Sequence, residues 1–482
     1  MTVTLGQGLV ALAVAAMLLL LGDVIRDRAQ WLRRIFLPGS IIAGALGLVL
    51  GPYGLGYLVA SLVGDDALLA DGIFPSFILD SWRALPGLLI NVVFAALFLG
   101  HPIPGLREIW WRAGPQVVFG QTMAWGQYVV GLLLALLVLA PLFGTNPVAG
   151  ALIEIGFEGG HGTAAGMAGA FEAAGFAEGT DLALGLATIG LVSGVLIGIV
   201  LINWGIRRGH SSITAPGHRH TAALSAAELD IDVSAAEMEA LRELKRLEAG
   251  PSDPLSLHFG VVALAIALGW LILEALKLFE AVTWGGELFT FVPLFPLAMV
   301  GGLLIQLLVD RMSWGHRISR RLMQRISGAA LDFTIVAALA SLSIAALGEH
   351  LAVFLLLAVA GIAWCVFGFV VIAPRVMPFN WFERGAGDFG QSMGVTVTGL
   401  LLMRMVDPEN RSGAIQSFGY KQLLFEPVVG GGLFTGMSVG LIAQHGPIAI
   451  LVLCALLTAG WLIFGLIAFG PEVKAARERG ER

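Results

Sequence analysis

The sequence predicts an all-α polytopic membrane protein. Each half is expected to supply about five helices and one re-entrant hairpin in an inverted-topology repeat, and an extra C-terminal helix brings the total to about 11 spans. Three observations predict this. The 482-residue chain is 57% hydrophobic and 13% charged, with a mean hydropathy of +0.86, whereas soluble domains carry about 25% charged residues. Its apolar runs are long, repeated and divided by short polar loops, unlike the alternating segments of about ten residues in a membrane barrel. Two glycine-rich polar breaks interrupt it, GFEGGHGTAAGMAGAF from Gly156 and GAGDFGQSMGVTVTG from Gly385. Irregular backbone at membrane depth survives only where protein buries it or water lines it.

Spanning helices are expected near residues 5–25, 36–62, 85–101, 115–142, 182–205, 256–278, 289–309, 329–348, 351–373, 412–444 and 448–470. No positive segment precedes the first, so Leu5–Gly22 is expected to be an anchor rather than a cleaved signal. The third run is short, and Gly430-Gly431-Gly432 breaks the tenth. The polar breaks precede the fifth and tenth helices and are too short for two crossings. They are expected as re-entrant hairpins at 150–175 and 385–406. The halves then cover 1–206 and 255–446, with a linker at 207–254 and an added helix and basic tail at 447–482.

Loop charge orients the chain, because Lys and Arg collect in cytoplasmic loops. Arg26, Arg28, Arg33 and Arg34 follow the first helix, which places the N-terminus outside. Arg107, Arg112, Arg207, Arg208, the run from Arg311 to Arg325, Arg375 and Arg384 mark inner segments, and the basic tail ends inside. On this assignment the first hairpin enters from outside and the second from inside. In the linker, Ser234 and Glu237 have capping-box spacing before a short charged helix. The run from Ser313 is expected as a basic amphipathic helix on the inner surface.

Other classes of chain are disfavoured. A net charge of −6 without a basic patch argues against nucleic acid. Cys365 and Cys454 lie in apolar runs, with neither a disulfide framework nor metal-ligand spacing. No second His, Cys or HExxH partner stands at ligand spacing from His161, which disfavours metal catalysis, and no cofactor or enzymatic activity is expected.

The breaks carry the chemistry. Helix starts inside a membrane expose N–H groups that attract carboxylates, and helix ends expose carbonyls that coordinate sodium. The candidate substrate- or ion-binding residues are Gly160, His161, Gly162, Thr163 and Thr188 in the first half. In the second they are Asp388, Gly390, Gln391, Ser392, Gln416 and Ser417. Thr163, Asp388 and Ser392 are the candidate sodium ligands, since a hard cation prefers oxygen. The glycine pairs Gly162/Gly166 and Gly390/Gly394 set the repeat register, followed by Ala187-Thr188-Ile189-Gly190 and Gln416-Ser417-Phe418-Gly419.

For several of these residues two roles stay open. His161 either donates to a substrate carboxylate or braces the turn. Asp388 either serves the ligand or caps the helix from Phe389. Glu154 and Glu158 flank the first break in a stretch free of Lys and Arg, giving a cation-attracting field. Lys421 either pairs with Glu426 or holds an anionic substrate.

Four stretches resemble the bacterial glutamate:sodium symporter family: LPGSIIAG from Leu37, GGHGTAAG from Gly159, ATIGLVSGVLIG from Ala187 and FEPVVGG from Phe425. Asp388, Gln391 and the eleventh helix depart from the family pattern. The resemblance implies secondary active symport of glutamate or a related carboxylate by alternating access, with sodium as coupling ion. The partners are then a small anionic substrate, sodium and the lipid of a bacterial cytoplasmic membrane, and a homodimer is left open. A proton-coupled or other organic-anion carrier is the main alternative, ahead of a passive channel.

Overall fold

The structure is a computed structural model that describes the chain except residues 1–3, 30–31, 33–36, 101–102, 212–252, 287, 313–316, 409–410 and 480–482. The expected linker helix with Ser234 and Glu237 lies outside the described residues. The protein is an all-helical membrane protein.

Among the described residues, ten helices are long and apolar enough to cross a membrane. In chain order, α1 is Leu5–Arg28, α2 Gly39–Val63, α3 Ser76–Ala95 and α4 Leu106–Phe143. The first hairpin follows: a 3₁₀ turn Pro147–Ala151, α5 Leu152–Phe157, α6 Gly160–Gly166 and α7 Ala168–Ala173. Next come α8 Gly179–Arg207, α9 Pro254–Thr283, α10 Leu294–Arg311, α11 Arg320–Ala340 and α12 Leu351–Val376. The second hairpin is α13, Trp381–Val406. Helices α14 Ala414–Phe425 and α15 Leu433–His445 are the two pieces of the expected tenth run, parted around its glycine triplet. Helices α16 Pro447–Ala468 and α17 Gly470–Glu478 end the described chain.

Two expected helices begin earlier than their hydropathy suggested. Helix α3 starts at Ser76 rather than near 85, and the Asp80–Arg83 pair at 3.2 Å lies on its exposed side. Helix α11 starts at Arg320, so the described part of the basic run enters a spanning helix; residues 313–316 of the expected surface helix lie outside the described residues. Ser319 caps it by accepting from the Leu322 N–H. The Arg320 guanidinium donates to the carbonyls of Ala96, Leu97 and Leu99 just past α3. Carbonyls at a helix end lack intrahelical donors, and this need draws the arginine inward.

The contacts divide the bundle into two groups that draw on both halves of the sequence. One group packs α1, α2, α3, α9, α10 and α11 together; the other packs α4, α8, α12, α14, α16 and the hairpins. The first hairpin's second arm meets the first group: the α-carbon face of Gly162 lies against Ile90 and Leu331, and that of Gly166 against Ile90 and Phe295.

Helix α8 shows how the hairpins are arranged. Gly156 of the first hairpin packs on Leu186. Farther along, Gly194 packs on Met393 at the tip of the second hairpin, Gly198 on Leu402 and Gly205 on Phe382 at its base. At 1.5 Å per residue its 29 residues span about 43 Å. The hairpins therefore lie end to end along one helix and enter the bundle from opposite ends.

Both hairpins start from the same local design. A π-turn, Ala135–Leu139, precedes Ala140-Pro141, and another, Gly368–Ile372, precedes Ala373-Pro374. Proline removes an N–H and crowds the carbonyl four residues back, and a π-turn gives it room. An asparagine then ties each base. Asn146 Nδ2 donates to the Ala174 carbonyl at 3.1 Å, and Asn380 Nδ2 to the Ser412 carbonyl at 3.2 Å. Counted from these asparagines, Glu154 matches Asp388, Gly156 matches Gly390 and Gly160 matches Gly394. The register set by Gly162/Gly166 is therefore corrected. Glycine pairs recur too often in this chain to fix an alignment, whereas the Ala-Pro and asparagine positions are set by backbone geometry.

Candidate functional site

The hairpins meet tip to tip. The second reverses at Gly394 and Val395, where Val395 adopts φ +61°, and its arms pack through Gly390 against Gly399. The first reverses around Gly159 and Gly160, and Gly160 has φ +69°. A side chain on Gly160 would run into the Val395 methyl. Positive φ costs a β-branched residue strain, and such strain gathers at functional sites.

A polar bond crosses the same junction. Ser392 Oγ donates to Glu158 Oε1 at 2.7 Å. The Ser392 carbonyl accepts from Gln127 Nε2 of α4 at 2.7 Å and from the Cys365 thiol of α12 at 3.4 Å. Glu158 is 3% exposed and Ser392 1%, and Glu158 Oε2 has no partner.

On the first hairpin, Glu154 is fully buried and well bonded. It accepts from the Tyr128 hydroxyl at 2.5 Å, the Gly430 N–H at 2.7 Å and Thr435 Oγ1 at 2.8 Å. The bonded N–H belongs to the break between α14 and α15, so that break exists partly to hold this acid. Thr163 lies beside Gly431, and its buried hydroxyl has no partner. His161 Nε2 lies 3.0 Å from Thr188 Oγ1, whose proton goes to the Leu184 carbonyl. His161 is therefore the donor through Nε2–H. It braces the first hairpin against α8, and Gly162 sits where α3 and α11 approach.

On the second hairpin, Lys421 of α14 donates to Asp388 Oδ1 at 2.6 Å and Gln391 Oε1 at 2.7 Å. Its ammonium also lies 4.0 Å from the centre of the Phe425 ring, a favourable position over a π face. The stem runs across Gly120, where any side chain would collide with it. Lys421 thus pairs with Asp388 and not with Glu426, which instead accepts from Thr396 and Gln422. Asp388 lies inside α13 and makes no capping bond to it.

The candidate residues do not all converge. Gly160, Ser392 and the neighbouring Thr163 lie at or near the tips. Asp388, Gln391 and Gly390 stand one to two turns back. Ser417 donates to the Arg112 carbonyl near the start of α4, and Gln416 is exposed beside it. Sequence reasoning gave Glu158 only a flanking role and overlooked Tyr128 and Gln127. An acid or amide inside an apolar run was the available signal.

A family model described as sodium/glutamate symporter matches residues 116–410, from α4 through both hairpins. The chain belongs to this family. No curated protein matches it. The sodium/glutamate symporter assignment makes the protein a symport-type membrane transporter, and the matched segment contains the whole tip junction. It ends before Lys421, so the ammonium that neutralises Asp388 lies outside the matched stretch.

Proposed function

We propose that the chain moves glutamate or a related carboxylate together with sodium across a bacterial cytoplasmic membrane by alternating access. The observation that carries this reading is the buried junction of two opposed hairpins, with unpaired oxygens on Glu158 and Thr163 beside it. Opposed hairpins with discontinuous helices near the bundle centre suit a carrier better than an axial pore. The two packing groups supply the moving parts. The hairpin group shifts against the group of α1–α3 and α9–α11, with small residues such as Gly162 and Gly166 at the sliding contact. The N-terminus faces outside and the C-terminus the cytoplasm, on the distribution of arginine.

The driving force is adequate. A 100 mV potential supplies ~2.3 kcal/mol per sodium ion, and a tenfold gradient ~1.4 kcal/mol more. Proteoliposomes loaded with potassium test the proposal. Glutamate, aspartate or a dicarboxylate should accumulate only with an inward sodium gradient. Uptake indifferent to sodium for every such substrate rejects it.

A further inference from the structure

A groove opens between the starts of α9 and α11, in the group that carries no hairpin. It has a volume of about 470 Å³, and its walls include Leu255 and Phe259 of α9 and Leu322, Arg325, Ile326 and Ala329 of α11. That size falls in the ~300–1,000 Å³ range of ligand pockets. The two helix starts are tied together beside it. His258 is fully buried; its Nδ1–H donates to the Pro254 carbonyl at 2.6 Å, and its Nε2 accepts from the Ser319 N–H at 2.7 Å. One ring thus joins the first turn of α9 to the residue that caps α11.

The groove combines an apolar wall with a basic rim. Leu255 and Phe259 are 46% and 52% exposed. Both belong to a spanning helix, so their open faces meet acyl chains rather than water. Arg325 lines the groove, and Arg321 stands one turn earlier on the same face of α11; both are exposed. The acid at the rim, Asp253, is already engaged, since it caps α9 by accepting from the Ser256 N–H at 2.9 Å. A second groove, beside Trp111, lacks this combination. Its Arg112 is paired with Glu108 at 3.1 Å and lies 5.0 Å from the centre of the Tyr420 ring.

We propose that the groove between α9 and α11 holds an anionic phospholipid, with its phosphate on Arg325 beside Arg321 and an acyl chain along Leu255, Phe259 and Ile326. The occupant is a lipid because the apolar wall continues into the bilayer. It is an anionic one because basic pockets between spanning helices select negative headgroups, and guanidinium offers phosphate a fixed charge with paired N–H donors. A zwitterionic headgroup brings its own cation to that rim and gains less. The site stands apart from the hairpins and does not depend on what they carry.

The test uses the purified full-length protein in detergent, titrated with phosphatidylglycerol, phosphatidylcholine or inorganic phosphate. Thermal midpoint and lipid retained in native mass spectra are the readouts. Phosphatidylglycerol should raise the midpoint saturably and stay bound, phosphatidylcholine should do so far more weakly, and phosphate should do neither. Arg325→Gln should raise the half-saturating phosphatidylglycerol about fivefold, the gain one basic residue brings near a negative headgroup. Removing both charges, with Arg321→Gln added, should raise it about twentyfold. Ala329→Trp fills the groove while keeping its charge, and it should lose the bound lipid; that result decides if the double variant folds poorly. Arg112→Gln, at the second groove, should leave the half-saturation unchanged. Equal effects of the two lipids, an effect of phosphate alone, or an equal shift in the Arg112 variant overturn the proposal. So does a double variant that keeps the wild-type half-saturation.

Discussion

The first hairpin packs beside Tyr128 and carries two buried glutamates, Glu154 and Glu158; the second carries buried Asp388 with Lys421 pressed against it, and buried Glu383 at its base. Their backbones follow one plan, from π-turn and Ala-Pro to basal asparagine, acid and tip glycine. Their charges follow two. Asp388 is neutralised from within by Lys421 at 2.6 Å, whereas Glu154 is held by hydrogen bonds and Glu158 keeps a bare oxygen. Backbone geometry is thus what the repeat preserves, because Pro, Asn and Gly positions dictate where a chain can turn inside a membrane. Side chains at matched positions are free to differ, and here Asp388 meets an ammonium while its counterpart Glu154 is held by hydrogen bonds.

The sharpest way to break this contrast is Lys421→Met, which makes the second hairpin's acid as bare as the first's. Removing one partner of a buried pair costs about 3–5 kcal/mol, so the thermal midpoint should fall more than for any other variant considered. The double variant Lys421→Met with Asp388→Asn should recover most of that loss, since no uncompensated charge remains. A double variant no more stable than the single one would mean that Lys421 acts by packing over Phe425 and Gly120 rather than by charge.

Tyr128→Phe attacks the other side of the comparison. The hydroxyl donates to Glu154 at 2.5 Å in a fully buried site, and a hydrogen bond to a charged group contributes about 1.5–3 kcal/mol. The variant should lose stability in that range while the ring still packs on Trp125 and Phe434. Unchanged stability would show that Gly430 and Thr435 suffice for Glu154.

Sequence reasoning singled out both glycine-rich breaks, because polar segments stand out in apolar surroundings, and the chain does reverse within each, at Gly159–Gly160 and at Gly394–Val395. It misplaced the repeat register, since the informative residues, Ala140-Pro141 with Asn146 and Ala373-Pro374 with Asn380, lie before the breaks rather than in them. It proposed Lys421 with Glu426, one turn apart on a continuous helix, because the true partner Asp388 comes from another element. It could not see that Ser417 turns toward Arg112, since the face a helix presents depends on tertiary packing. The start of α11 was hidden for a related reason: Arg320 is polar by composition, yet its guanidinium finds carbonyls at the end of α3.

The tip contact offers a comparison of intermediate size. Gly160 and Val395 both have positive φ, and only one is glycine. Left-handed backbone costs a residue with a side chain roughly 1–2 kcal/mol. Gly160→Ala should lose at least that and collide with Val395, so sodium-driven uptake should fall more than tenfold. Val395→Gly should raise the thermal midpoint by relieving strain while slowing uptake, because the methyl contact between tips is gone. If it raised both, the strained valine would be a packing accident rather than part of the junction.

The smallest effects are expected at the bases, where the hairpins are most alike. Asn146→Ala removes the bond to Ala174 and also the cap on the Val148 N–H at 3.0 Å. Each neutral hydrogen bond contributes about 0.5–1.5 kcal/mol. Asn380→Ala removes the bond to Ser412 and leaves alanine at φ 48°, a conformation that asparagine tolerates better. The two variants should therefore cost similar amounts for different reasons. Asn380→Gly separates the reasons, since glycine accepts the backbone and lacks only the tie. Hydrogen exchange of peptides at the two bases would measure this. A glycine variant that opens as readily as the alanine variant assigns the base to the side-chain bond; one that stays protected assigns it to backbone conformation, and the shared asparagine would then be a turn residue first and a clasp second.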